Sequence, residues 1–181
     1  MIRLLPALAA VVALCSAGGA GRLTVNGLPV SGRAFAIGYV HSIYQAPSAE
    51  VFTVEGRRFT MRAVVSGSGG VLDYYALDGE RSRTPDGAWV LRLAEPATYE
   101  ELSLLTTSIG RRTLISGGRC LPLSRSGEVR LALELTLDVR GEPCPRLYSQ
   151  SFFLKTAYSA TEATATSIAD MKKPHGWPEP G

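Results

Sequence analysis

Val129-Arg130-Leu131-Ala132-Leu133-Glu134-Leu135-Thr136-Leu137-Asp138-Val139 decides the fold class, because Val or Leu recurs at every second position with mostly polar residues between. Strand side chains alternate between faces, so this spacing predicts a half-buried β-strand with one apolar side. The same period recurs outward along the chain. Phe35, Ile37, Tyr39, His41 and Ile43 alternate with Ala34, Ala36, Gly38, Val40 and Ser42. Phe52 and Val54 continue the pattern, then Phe59, Met61, Ala63 and Val65. Trp89, Leu91 and Leu93 predict another strand, Leu102 and Leu104 the next, and Ser149 to Lys155 a last one. Gly117 and Gly118, between Thr113–Ser116 and Arg119–Leu123, are a two-residue hairpin signal. Helical periodicity is absent from most of the chain. Strands joined by short turns predict an all-β fold, an antiparallel sandwich or partly open barrel of about 8–10 short strands.

Composition sets the limits on chemistry. With 181 residues, 45% hydrophobic and 19% charged, the chain has the size and apolar content of one packed domain. Nineteen Lys and Arg against 16 Asp and Glu leave a net charge of +3 and no dense basic stripe, so no nucleic-acid partner is expected. Three Cys and two His offer little material for a metal or nucleophile site. No cofactor is expected.

Residues 1–20 read as an export signal: a short positive start at Met1 to Arg3, the apolar run Leu4 to Ala17, then Gly18, Gly19 and Ala20. The run falls short of the roughly 20 apolar residues of a membrane span. An uncleaved N-terminal segment tethering the chain to the membrane is the first alternative, and lipidation at Cys15 the second. The expected location is thus across the cytoplasmic membrane: periplasmic, cell-surface or secreted. Residues 22–156 then form a single β-rich domain. Residues 157–181, rich in Ala, Thr, Ser and Pro, read as a flexible tail with room for a short helix over Ala160 to Met171; His175 and Trp177 lie in it. Removal of the signal takes Cys15 with it and leaves Cys120 and Cys144 to pair in an oxidising compartment, two buried thiols being the alternative.

One hairpin carries a register argument. A turn at Gly56–Arg57 pairs Glu55 with Arg58, Val54 with Phe59, Phe52 with Met61 and Glu50 with Ala63. If the preceding strand folds back through Ser42 to Ala49, Tyr39 faces Phe52, Ile37 faces Val54, and His41 faces Glu50. A His and a Glu on a core face need each other, because an unpaired buried charge is costly. The pair either pins the Tyr44–Ser48 loop, stiffened by Pro47, or stands at the rim of a barrel or cleft and binds a ligand or partner. Ser42 follows His41 directly and points to the opposite face while the strand lasts, so a Ser–His couple is not expected. With no second ordered His, a zinc site is not expected either. Ser66-Gly67-Ser68-Gly69-Gly70 lacks the helix and the Lys–Ser/Thr signature of a phosphate loop. It reads as a bend where chain segments approach closely, with Gly67, Gly69 and Gly70 as ligand contacts in the alternative. Tyr74 and Tyr75, just after it, read as core aromatics of a strand, with the lining of a pocket as the alternative.

Tyr39-Val40-His41-Ser42-Ile43, followed by Pro47, Glu50 and Phe52, resembles a small family catalogued as domain of unknown function 1850. That family has an aromatic–aliphatic–His-Ser–aliphatic strand, then a Pro and a Glu, then a Ser/Gly/Ala-rich turn matched here by Ser66 to Gly70. The family's usual aromatic within the turn is missing. Gly110-Arg111-Arg112-Thr113-Leu114 resembles the family's later Gly, basic residue and strand. The match runs from about Leu23 to Leu123. The resemblance implies a small exported protein, often encoded beside subunits of TAXI-type tripartite (TRAP) transporters, with no established biochemical activity. The expected function is therefore an exported, non-enzymatic accessory or binding protein of TAXI-type TRAP solute uptake, with transporter subunits as partners. The alternative is an independent small-ligand carrier whose barrel mouth holds His41, Glu50 and the glycine turn. A hydrolase is the weakest reading, because acid/base groups other than His41 and Glu50 do not cluster.

Overall fold

The computed structural model describes residues 21–123 and 125–149. The export signal, the tail and residues 150–155 of the expected last strand lie outside them. In chain order the elements are β1 (Arg22–Val25), β2 (Leu28–Pro29), β3 (Ala34–Val40), β4 (Pro47–Glu55), β5 (Arg58–Ser66), α1 (Gly69–Tyr75), β6 (Gly79–Arg83), β7 (Trp89–Leu93), β8 (Thr98–Tyr99), β9 (Glu101–Thr106), β10 (Thr113–Ser116), β11 (Arg119–Pro122), β12 (Gly127–Thr136), β13 (Glu142–Pro143) and α2 (Arg146–Ser149). The described residues thus hold ten strands of four residues or more and three of two residues. Ser149 ends a helical turn instead of opening a strand.

Two antiparallel sheets form a sandwich: a four-stranded one in the order β2-β1-β12-β9, and a nine-stranded one in the order β13-β11-β10-β3-β4-β5-β7-β6 with β8 beside β5. Both sheets end in edge strands, so neither closes into a barrel. The turns follow from local chemistry. Asn26 and Gly27 (φ 51° and 86°) turn β1 into β2, and Gly117 and Gly118 (φ 55° and 78°) turn β10 into β11. Positive φ at both central residues is what a tight hairpin asks for.

The main core lies between the sheets. Phe35, Ile37, Phe52, Val54, Phe59 and Leu114 of the large sheet meet Val25, Leu104, Leu131 and Leu133 of the small one. Phe35 stacks on Phe52 at 5.0 Å and 8°, and Phe59 stands edge-on to both. Each such ring taken out of water stabilises the fold by about 1.5–3 kcal/mol. In β12 the alternation holds for Leu131 and Leu133, which are buried, but Leu135 and, just past the strand, Leu137 are 70% and 73% exposed. The apolar stripe runs past the part of the strand that the opposite sheet covers.

A second, smaller cluster covers the other face of the large sheet: Ala36, Ala49, Val51, Ala63, Val65, Val90, Ile115 and Cys120, with Tyr148 laid across them. Gly38 makes room for that tyrosine, since a Cβ there would stand 2.6 Å from its ring. The Cys120–Cys144 disulfide, with Cα atoms 4.8 Å apart, ties the segment after β13 to β11.

Two register expectations are corrected. Val40 pairs with Pro47, Tyr39 with Ser48, Ile37 with Glu50 and Phe35 with Phe52. The hairpin loop is therefore His41 to Ala46, shorter than expected, and His41 does not face Glu50. Apolar alternation fixes which side chains share a face, but a slide by an even number of residues leaves that unchanged. The stacked Phe35–Phe52 pair and the tight turn select the observed offset. Along β4 and β5, Glu55–Arg58 and Phe52–Met61 pair as expected, but Val51 pairs with Ala63 and Glu50 with Val64. Arg62 is the extra residue of a β-bulge, so Ala63 and Val65 leave the Phe52 face for the second cluster.

Candidate functional site

One end of the large sheet gathers the residues singled out in the sequence. β3 stops at Val40 and β4 starts at Pro47. The turn between them is closed by the His41 N–H donating to the Ala46 carbonyl at 2.9 Å, with Gln45 at φ 48°. Ser42 is exposed in this turn, and its carbonyl accepts from the Gln45 side-chain amide. The Gly67 N–H donates to the Pro47 carbonyl at 3.0 Å, which ties the glycine turn to the first residue of β4. Beneath it, the buried Ser48 and Ser66 hydroxyls lie 2.9 Å apart, and the Ser68 N–H donates to Ser66 Oγ.

A short helix, not a strand, follows the glycine turn. Its two tyrosines separate His41 from Glu50. Tyr75 donates its hydroxyl proton to Glu50 Oε1 at 2.5 Å. The Tyr39 hydroxyl lies 2.7 Å from that of Tyr75. Because a phenol has one proton and Tyr75 gives its own to the carboxylate, Tyr39 is the donor to Tyr75. The Arg112 guanidinium lies over the Tyr39 ring at 5.4 Å, with Nη1 3.9 Å from Glu50 Oε1. The Glu50 and Arg112 side chains are only 12% and 25% exposed, so this ion pair is shielded in a way that surface pairs are not. Burial is the main cause that pushes the Tyr39 pKa up to about 12, with the Glu50 charge adding to it and the Tyr75 hydrogen bond working against it. Burial and then the Glu50 charge push Tyr75 higher still.

On the other side of α1, His41 is buried. Tyr74 meets its ring edge-on at 5.0 Å, and Tyr44 lies tilted against it at 5.3 Å. His41 Nδ1 accepts the Tyr44 N–H at 3.4 Å, which places the proton of the neutral ring on Nε2. The glycines make this packing possible. A Cβ on Gly70 would stand 2.6 Å from the Tyr44 ring, and one on Gly69 3.2 Å from the Trp89 ring. The expected close approach at this turn is thus made by aromatic rings. Ile43, Tyr44, Tyr74 and Leu77 are 67%, 45%, 65% and 42% exposed and form an apolar and aromatic crown on the same end.

Sequence reasoning picked His41 and Glu50 but missed their true partners. Tyr75 was hidden because Tyr74 and Tyr75 read as strand residues. Arg112 stood in the Gly110-Arg111-Arg112 segment without an assigned role, although its place before β10 puts it beside Tyr39. Among the described residues no three His, Cys, Asp or Glu side chains gather to hold a metal ion.

The model of the family described as domain of unknown function (DUF1850) matches residues 35–123. Over these residues the chain is similar to the DUF1850 family. The matched stretch holds β4 to β11, nearly all of β3, and the residues of the Glu50–Tyr75–Tyr39–Arg112 cluster. β1, β2 and β12, three of the four strands of the smaller sheet, lie outside the matched DUF1850 residues. No curated protein and no solved structure matches the chain.

Proposed function

We propose that the protein is an exported, non-enzymatic accessory protein of TAXI-type TRAP solute uptake, and that the crown of Ile43, Tyr44, Tyr74 and Leu77 docks on a transporter subunit. The crown carries the reading: four exposed apolar or aromatic side chains, Ile43 and Tyr44 on one loop, Tyr74 on a short helix and Leu77 just past its end, form a patch of the kind that marks interaction sites. The residues beneath it support the reading by fixing the patch. Glu50, Tyr75 and Arg112 hold α1 from one side, and His41 holds Tyr44 and Tyr74 from the other. A non-enzymatic role accords with these bonds, because Glu50 and the His41 Nδ1 are both engaged with the protein's own groups. The transporter partner comes from the DUF1850 resemblance, and export from the signal pattern of residues 1–20 together with that resemblance.

The test is recovery of the tagged full chain from membranes of the native cell. TRAP permease or solute-binding subunits are expected to co-purify, and to be lost with Ile43→Asp/Leu77→Asp at unchanged thermal stability. Recovery without those subunits, or co-purification indifferent to the two substitutions, would overturn the reading. For export, the N-terminus of the chain recovered outside the cytoplasm is expected near residue 21; an intact Met1 would contradict a cleaved signal.

A further inference from the structure

We infer that the cleft at the start of β10 binds a small organic carboxylate. The cleft has a volume of about 630 Å³ and is bordered by Arg111, Arg112 and Arg125, with no acidic residue among the described residues that line it. That volume lies in the usual range of small-molecule sites, about 300–1,000 Å³. Among the described residues neither Arg111 nor Arg125 is in an ion pair, whereas five other arginines are. Arg112 Nη1 is buried and makes no hydrogen bond, its Glu50 partner standing too far away at 3.9 Å. Three cationic side chains thus meet in one concavity, and two of them, Arg111 and Arg125, have no ion-pair partner among the described residues. Arg111 is set there by the backbone: it sits at φ 46°, in a turn where its N–H donates to the Thr107 carbonyl.

The remaining wall decides between kinds of anion. Pro122, Leu123, Pro145 and the ring of Tyr148 give it an apolar side. A bare inorganic anion would satisfy the guanidinium groups and leave that side wet. A carboxylate on a hydrocarbon body satisfies both, with the head forked by Arg and the chain laid on the prolines and tyrosine. This site does not rest on the docking of a transporter subunit, and either reading can fail alone.

Isothermal titration at low salt tests it on the full exported chain, with hexanoate, its uncharged analogue hexanamide, and inorganic phosphate as probes. Hexanoate is expected to bind one site per chain. Hexanamide and phosphate are each expected to be weaker by about tenfold or more, a difference of about 1.4 kcal/mol. Arg111→Gln/Arg125→Gln is expected to weaken hexanoate by at least about tenfold at an unchanged unfolding midpoint, while the remote Arg57→Gln leaves it unchanged. Because the double variant could disturb the turn, Arg125→Gln alone is measured too and is expected to show part of the loss. No hexanoate binding, equal binding of hexanamide, or full binding by the double variant would overturn the proposal. Phosphate bound as tightly as hexanoate would overturn the organic part of it.

Discussion

Glu50 shows how a single side chain is read correctly in kind and wrongly in partner. That a carboxylate on an apolar strand face needs a mate follows from desolvation alone. Which mate it takes depends on a helix folded over the sheet and on a loop sixty residues away, and neither is written in the local spacing. Removing Tyr75's proton leaves the shielded carboxylate short of a donor, so Tyr75→Phe is expected to lower stability by about 1–3 kcal/mol in urea unfolding. In double-mutant cycles the Glu50–Tyr75 coupling is expected to exceed the Glu50–His41 coupling; the reverse order would restore the register in which His41 faces Glu50. The tyrosines also predict an alkaline limit. Their folded-state pKa values are raised, so above pH about 10 the unfolded chain releases protons that the folded chain keeps. Stability is therefore full below that pH and falls above it. Tyr39 alone contributes a loss of up to about 1.4 kcal/mol per pH unit until its folded pKa near 12. Urea midpoints between pH 9 and 11.5 are expected to fall less steeply in Tyr39→Phe; an equal slope would place the titrating groups elsewhere.

At the scale of elements, the strands and their hairpins were legible because period-two alternation and Gly turns are local signals. The Glu55–Arg58 and Ser116–Arg119 closures follow from them directly. The same logic applies to Asn26–Gly27, a hairpin signal that stood in the sequence and passed unread. Two features were not legible. A bulge at Arg62 turns Ala63 and Val65 to the other face, and nothing in an apolar–polar pattern marks it, since both faces of this strand are buried. The helix α1 is only seven residues long, too short to show a helical period. Its position depends on Gly70 lying against Tyr44. Gly70→Ala is expected to destabilise the domain by about 1–3 kcal/mol, as overpacking does, and Tyr44→Ala in the same chain is expected to recover part of that loss. Equal losses in Gly70→Ala with and without Tyr44 would mean that the helix does not lean on that ring.

For the whole molecule, the sandwich follows from the strand pattern, but the division into two sheets does not. β12 joins the small sheet through partners more than a hundred residues upstream, and only its first apolar positions are covered. The disulfide was legible from arithmetic, because the expected loss of residues 1–20 would leave Cys120 and Cys144 as the remaining pair. It closes a loop of 23 residues and fixes the cover of the second face. Cys120→Ala/Cys144→Ala is expected to lower unfolding free energy by about 3 kcal/mol; an unchanged midpoint would show the bridge to be dispensable. The molecule so built is polarised. One end carries the His41 turn, the glycine turn and the crown, while the β4–β5 turn at Gly56–Arg57 marks the other. The central claim is that the crown end meets a transporter subunit. Photocrosslinking in the native cell tests it most directly, with p-benzoylphenylalanine placed at Tyr74 or, at the far end, at Arg57. A crosslink to a TRAP permease or solute-binding subunit from position 74 and none from position 57 is the expected result. Crosslinks to that subunit from position 57 alone, or from neither position, would contradict it.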